Sequence, residues 1–163
     1  MAGFEIREAT PADSRFIGDM LVEALNWHPV RRRPRAQLVA DGEFRRYIEG
    51  WMRPGDAGVV AVDGNGAPIG ACWYRLFAPD EAGHGGLGPR VPELTLGVVS
   101  VWRAQGAGRA LLRAAVDLAR TQGYQRLSLS VERENYARRL YVSEGFATVS
   151  SGPDSDIMVR RLR

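Results

Sequence analysis

The chain has 163 residues, 45% hydrophobic and 25% charged, and its net charge of +3 is too small to suggest a nucleic-acid partner. All 22 basic side chains are arginine, which excludes a Schiff-base lysine, a phosphate-loop lysine and a lysine general base. Cys72 is the only cysteine, which rules out an internal disulfide and makes a reducing, cytoplasmic setting the expectation.

In chain order, Phe4 to Arg7 alternates and predicts a short strand. Thr10-Pro11-Ala12-Asp13 is a helix start: threonine caps, proline suits the first helical position, and an acid follows three residues after the cap. Phe16, Ile17, Met20, Leu21 and Ala24 then recur at helical spacing. Trp27 to Arg35 reads as a loop, and Leu38 to Trp51 predicts a second helix carrying Phe44, Tyr47, Ile48 and Trp51. A hairpin follows, Ala57 to Val62 and Pro68 to Phe77 across an Asp-Gly-Asn-Gly turn. Ala78 to Pro92 is a long loop, uncommon in a compact domain unless it is functional. Glu93 to Val99 predicts a strand, and Gly106 to Gln122 a helix with a stripe of Leu111, Leu112, Ala115, Leu118 and Ala119. Arg126 to Val131 alternates, Asn135 can cap a helix running to Glu144, and Phe146 to Val149 and Ile157 to Leu162 are final strands.

This order predicts one α/β domain over residues 1–163, with a mixed sheet that is antiparallel at one end and holds a parallel pair further on. No apolar run approaches the roughly 20 residues of a membrane span, and no membrane partner is expected. The N-terminal residues lack a basic start followed by an apolar stretch, so no signal peptide is expected. Cys72, His28 and His84 are the only soft ligands, and no metal site is expected.

The most informative stretch runs from Val98 to Leu112, where a strand enters a glycine-spaced turn that opens a helix. Glycines at 106 and 108 let the backbone approach a bulky anion, and the helix start offers unpaired N–H groups and a positive dipole end to phosphate oxygens. A dinucleotide fingerprint fails at two points. Leu111 stands where the third glycine is needed, and no acid ends the next strand.

Arg103-x-x-Gly106-x-Gly108 resembles the pyrophosphate-binding motif of the GNAT superfamily of acyl-CoA-dependent N-acetyltransferases. The strand at Leu127 to Val131, then Asn135, then Leu140-Tyr141-Val142-Ser143-Glu144-Gly145-Phe146 resembles that family's second signature. One departure is Ala104, where many members have glycine; alanine fits there if its φ is ordinary.

The resemblance implies a splayed GNAT-type sheet, with acetyl-CoA in the gap between the Glu93 and Arg126 strands and CoA as product. Gly97 reads as a strand bulge beside that gap. By resemblance, Val98, Val99, Arg103, Ala104, Gln105, Gly106, Ala107, Gly108, Arg109 and Asn135 hold the cofactor. Tyr141 matches the position that protonates the departing sulfur, and Glu93 is the candidate base for the acceptor amine, with Tyr74, Glu132 and Glu134 as weaker rivals. Trp27, His28, Tyr74 and His84 are candidates for the acceptor side. The arginines at 31–33 and 35 are a candidate selector for an anionic acceptor. The implied acceptor is a primary amine on a small molecule or peptide, and homodimers are common in the family. A catalytically silent acyl-CoA-binding domain and an arginine-rich nucleic-acid-binding module are the alternatives.

Overall fold

The computed structural model describes residues 3–78 and 90–163. The chain opens with strand β1 (Phe4–Glu8), a 3₁₀ turn (Pro11–Asp13) and helix α1 (Ser14–Leu25). Two short helices follow, α2 (Arg35–Ala40) and α3 (Gly42–Arg45), then the hairpin β2 (Ala57–Asp63) and β3 (Pro68–Arg75). Next come β4 (Glu93–Val98), a 3₁₀ turn (Ser100–Trp102), α4 (Ala107–Thr121), β5 (Arg126–Glu132), α5 (Ala137–Ser143), β6 (Ala147–Ser151) and β7 (Ser155–Arg161).

The helix expected over residues 38–51 is instead broken at Asp41. That residue takes an extended conformation, φ −83° and ψ 115°, and its carboxylate accepts the N–H of Glu43 at 2.9 Å. An Asp-Gly pair competes for local backbone donors better than it continues a helix. The chain from Arg46 to Gly50 consequently runs through turns, and Tyr47 leaves the helical stripe.

The seven strands of the described residues form one sheet in the order β1-β2-β3-β4-β5-β7-β6. The mixed α/β architecture expected from the element order is what forms. Every neighbouring pair is antiparallel except β4 and β5, which are parallel and meet only at Glu93 and Ser128. There the N–H and Oγ of Ser128 both donate to the Pro92 carbonyl, at 2.9 and 3.0 Å. Beyond that point β4 stays with β3 and β5 stays with β7, so the sheet opens into a wedge.

Gly97 is not a bulge, because it pairs regularly with Ala71. A Cβ there would lie 2.3 Å from the Met20 carbonyl oxygen, a distance no side chain occupies. The glycine lets the α1 backbone rest directly on β4 and form one wall of the wedge.

Strand alternation divides the core. Ala71 and Trp73 of β3 face α1 with Ile17, Met20 and Val60, while Cys72 and Tyr74 face α4 with Leu94, Leu111, Leu112 and Leu129. Tyr74 therefore does not reach the acceptor side. It is fully buried, packs edge-on to Tyr124 at 5.9 Å and donates to Gln122 Oε1. Burial pushes its phenol far up, which also removes it as a rival base. No helix among the described residues is long and apolar enough to cross a membrane.

Candidate active site

The wedge between β4 and β5 is a cavity of about 610 Å³. Its walls are β4 from Glu93 to Val98, β5 from Leu129 to Glu132, the end of α1, the turn at residues 103–109, and α5 with its approach from Asn135 to Tyr141. The volume lies within the roughly 300–1,000 Å³ that ligand sites occupy.

At one end of the cavity, the turn has the geometry an anion needs. Gly106 sits at φ +88°, a left-handed conformation that starts α4. Among the described residues, the backbone N–H groups from 105 to 109 have no internal acceptor. They are the orphan donors of a helix start, backed by the positive end of a 15-residue helix dipole. This row of free donors is what a pyrophosphate fits. A Cβ on Gly108 would point toward Leu140, Leu96 and Val98 at 3.6 to 3.9 Å, which is the floor of the cleft.

Side chains hold the turn in place. The Arg103 backbone N–H is used within the preceding turn, on the Ser100 carbonyl at 3.2 Å. Its guanidinium donates to Glu23 on α1 at 2.9 Å and to the Val98 carbonyl at 3.3 Å, clamping turn, helix and strand together. Gln105 donates to the Val101 carbonyl at 3.0 Å. Arg109 reaches Ser143 Oγ at 3.0 Å and pairs with Glu144, tying α4 to α5. Hydrogen bonds from Arg113 first, then from Arg109, hold the Glu144 carboxyl below its usual range.

Ala104 does not have an ordinary φ, the condition under which alanine would fit that position without strain. It lies at φ +61°, where a Cβ costs roughly 1–2 kcal/mol. Glycine at this position would relieve that strain but lose about 0.4–1 kcal/mol through greater unfolded-state freedom. Ala104→Gly is therefore expected to stabilise the protein by about 0.5–1 kcal/mol, seen as a melting-temperature rise of roughly 2–4 °C per kcal/mol. A melting temperature at or below that of the parent would contradict the strain.

Val98, the last residue of β4, and Val99 just after it separate. Val99 donates its N–H to the Ile69 carbonyl at 2.8 Å, so it cannot serve a ligand in the cleft. By alternation, the backbone groups of Val98 point the other way, into the wedge. Its carbonyl is the one that accepts from Arg103.

Glu93 and Tyr141 both line the cavity. Glu93 is not a strand-end charge facing solvent. It is 3% exposed, and Tyr47 Oη donates to its Oε2 at 2.6 Å. Tyr141 is 7% exposed, packed edge-on to Phe146 at 6.0 Å. Burial first, then the nearby Cys72, pushes its phenol far above its ordinary range, so it carries its proton at neutrality.

Tyr47 is a cavity residue that bonds a candidate catalytic group and that sequence reasoning missed. Its spacing fitted an apolar helical stripe, and its partner Glu93 is 46 residues away. Nothing local in the sequence marks that pairing.

Of the other candidates, Asn135 lines the cavity, and its side-chain oxygen accepts the Ala137 N–H at 3.0 Å in a local turn; the N-cap position of α5 falls to Tyr136. Trp27 also reaches the cavity and donates its indole N–H to Glu132 at 3.1 Å, linking the end of α1 to the end of β5. His28 stays outside. Its Nδ1 accepts the N–H groups of Val30 and Arg31, both at 3.1 Å, and so closes a local turn. His84 lies outside the described residues.

The arginine cluster is partly structural. Arg35 pairs with Asp19, and Arg32 donates to the Asn26 carbonyl at 3.3 Å. Arg33 stacks over Phe44 at 5.0 Å. Arg31 faces Glu134 at 3.9 Å in an exposed pair, worth little in water. No group of three or more metal-ligating side chains is found among the described residues.

An open mixed sheet that parts beside a glycine turn with unpaired N–H groups is the frame of an acyl-CoA-dependent acyltransferase. The acetyltransferase (GNAT) family model matches residues 21–146, from α1 to the edge of β6. The chain belongs to that family, whose acetyl donor is acetyl-CoA.

Among curated proteins it is similar to the mycothiol acetyltransferase of Beutenbergia cavernae, 37% identical over 104 residues, covering 63% of this chain and 32% of the relative. It is also similar to the mycothiol acetyltransferase of Jonesia denitrificans, 31% identical over 150 residues, covering 89% of this chain and 43% of the relative. The chain thus spans less than half the length of either. In fold it matches yncA of Salmonella typhimurium, whose structure holds its cofactor acetyl-CoA. The TM-score is 0.69 at 21% identity, covering 98% of this chain and 94% of the other.

Proposed function

We propose that the protein transfers the acetyl group of acetyl-CoA to the primary amine of a small molecule. The observation that carries this reading is the convergence of three features on one cavity: the row of unpaired N–H groups at residues 105–109, the buried Glu93 carboxyl and the buried Tyr141 phenol. The name shared by the curated relatives supports a small-molecule acceptor.

Acetyl-CoA supplies the activated acyl group. The N–H groups of the turn hold its pyrophosphate, and the Val98 N–H faces the wedge where negative charge would develop on the carbonyl oxygen. Glu93 accepts the amine proton, and Tyr141 Oη donates toward the sulfur. Asn135 and Trp27 border the channel. Every group in this scheme belongs to a backbone amide, a carboxyl or a phenol, so the lack of lysine leaves the mechanism intact.

The test is CoA release from acetyl-CoA over a panel of small amines and peptide N termini. Small amines are expected to turn over; release with peptides alone would overturn the small-molecule reading, and no release with any amine would point to a silent binding domain. On the best acceptor, Glu93→Gln is expected to lower kcat by about 10²- to 10³-fold, the scale of a lost general base, with the acetyl-CoA-induced thermal shift retained. Unchanged kcat would remove Glu93 from the base role.

A further inference from the structure

We infer that Tyr47 orients Glu93 for proton acceptance, and that Trp73 and Arg75 of β3 are positioning residues that act through Tyr47. The inference rests on the role proposed for Glu93.

Tyr47 lies on the irregular segment after α3, where no continuous helix fixes its side chain. Three carbonyls of that segment, those of Arg46, Tyr47 and Glu49, are held from below by β3. Trp73 Nε1 donates to the Tyr47 carbonyl at 3.1 Å. Arg75 Nη1 donates to the carbonyls of Arg46 and Glu49, at 2.8 and 2.7 Å. Side chains two apart on a strand share a face, so both reach the same segment from one side of the sheet.

Arg75 is itself fixed. Its guanidinium forms a two-bond pair with Asp56, at 2.8 and 2.7 Å, in which both side chains are essentially fully buried. A buried pair of this kind is weak evidence for stability, since apolar replacements often do as well. Its third guanidinium nitrogen is the one that holds the two carbonyls on either side of Tyr47. In the β3–β4 register Arg75 stands directly opposite Glu93. The strand that flanks the carboxyl thus also sets the phenol that donates to it. Edge-on packing of Tyr47 against Phe77 at 5.5 Å fixes the ring.

A hydrogen bond to a charged group is worth enough to change a rate about 10- to 100-fold. Tyr47→Phe is expected to lower kcat by about that factor with the KM for acetyl-CoA unchanged. Trp73→Phe frees the Tyr47 carbonyl and is expected to lower kcat by a smaller factor. In the Tyr47→Phe background it is expected to change kcat no further, because the hydroxyl it positions is gone. Arg75→Lys keeps the charge beside Asp56 but cannot hold both carbonyls, and is expected to behave as Trp73→Phe does.

Rates are normalised to sites that bind acetyl-CoA, so partial unfolding does not enter. Trp73→Phe is the deciding variant if Arg75→Lys does not fold. Equal kcat losses from Trp73→Phe in both backgrounds would overturn the inference, as would unchanged kcat in Tyr47→Phe. Unchanged kcat in Glu93→Gln would instead overturn the base assignment beneath it.

Discussion

Gly108→Glu is expected to abolish acetyl-CoA binding and leave the unliganded protein folded. The fold survives because a Cβ at this position meets only ordinary contacts, 3.6 Å from Leu140 and 3.9 Å from Leu96 and Val98. Gly108 is also helical with no positive φ, so glycine is not required by the backbone. The longer side chain must extend past these neighbours into the cleft, where it brings a carboxylate beside the unpaired N–H row at residues 105–109. A side-chain anion at the start of α4 takes the place that the helix dipole and the free donors offer to a pyrophosphate, and it repels what remains. The measurement is the melting temperature with and without acetyl-CoA. A ligand at 100 times its Kd stabilises the parent by about 2.7 kcal/mol. The variant is expected to show no shift. A retained shift would mean that the phosphate lies elsewhere and that the turn is only a helix start.

The contrast with Gly106 shows what the glycine spacing meant. Gly106 has open space around its absent Cβ but a φ of +88°, so it is needed for conformation. Gly108 has ordinary conformation but lines the cleft. The sequence spacing pointed to both and could not divide the roles, because a φ is set by the turn as a whole. The same limit explains Ala104, whose left-handed φ the motif did not reveal.

The elements themselves were legible where a period is sustained. The α4 stripe and the alternation of β5 carry long, consistent patterns, and both elements formed within a residue or two of expectation. The segment from Leu38 to Trp51 misled because its apolar spacing is helical while Asp41 and Gly42 interrupt it, and a period count outvoted a local cap. Gly97 misled differently. Its reason lies in α1, whose Met20 carbonyl is distant in sequence and touches β4 only in the fold. Tyr74 and the cleft side of β4 were ambiguous for one cause: strand alternation tells which residues share a face, and only the packed helices tell which face is which. Of the candidate site, the turn carried by contiguous motif, residues 103–109, was legible as a glycine-spaced helix start. The part assembled across the sheet, Tyr47 against Glu93 and Trp27 against Glu132, was not legible.

Tyr141→Phe is expected to lower kcat by about 10²-fold, the scale of losing one donor to charge that develops in the transition state. Two features make this substitution clean. The hydroxyl makes no hydrogen bond among the described residues, so its removal orphans no partner. The ring keeps its edge-on packing against Phe146, so the fold and the acetyl-CoA thermal shift are expected to be unchanged. Burial raises the phenol above its ordinary 10.0, which favours the protonated form. The sign follows directly: a raised acid stays protonated to higher pH, so Tyr141 produces no fall in kcat between neutrality and its ordinary value. It also decides the form of the donation. A thiol of about 8.5 holds its proton less firmly than this phenol does. In the role proposed for it, Tyr141 would therefore stabilise the departing sulfur by donating a hydrogen bond rather than by giving up its proton. A kcat profile that falls well below the ordinary value in the parent, and loses that fall in Tyr141→Phe, would show a much more acidic phenol than burial dictates. Unchanged kcat in Tyr141→Phe at all pH values would remove the donor role itself.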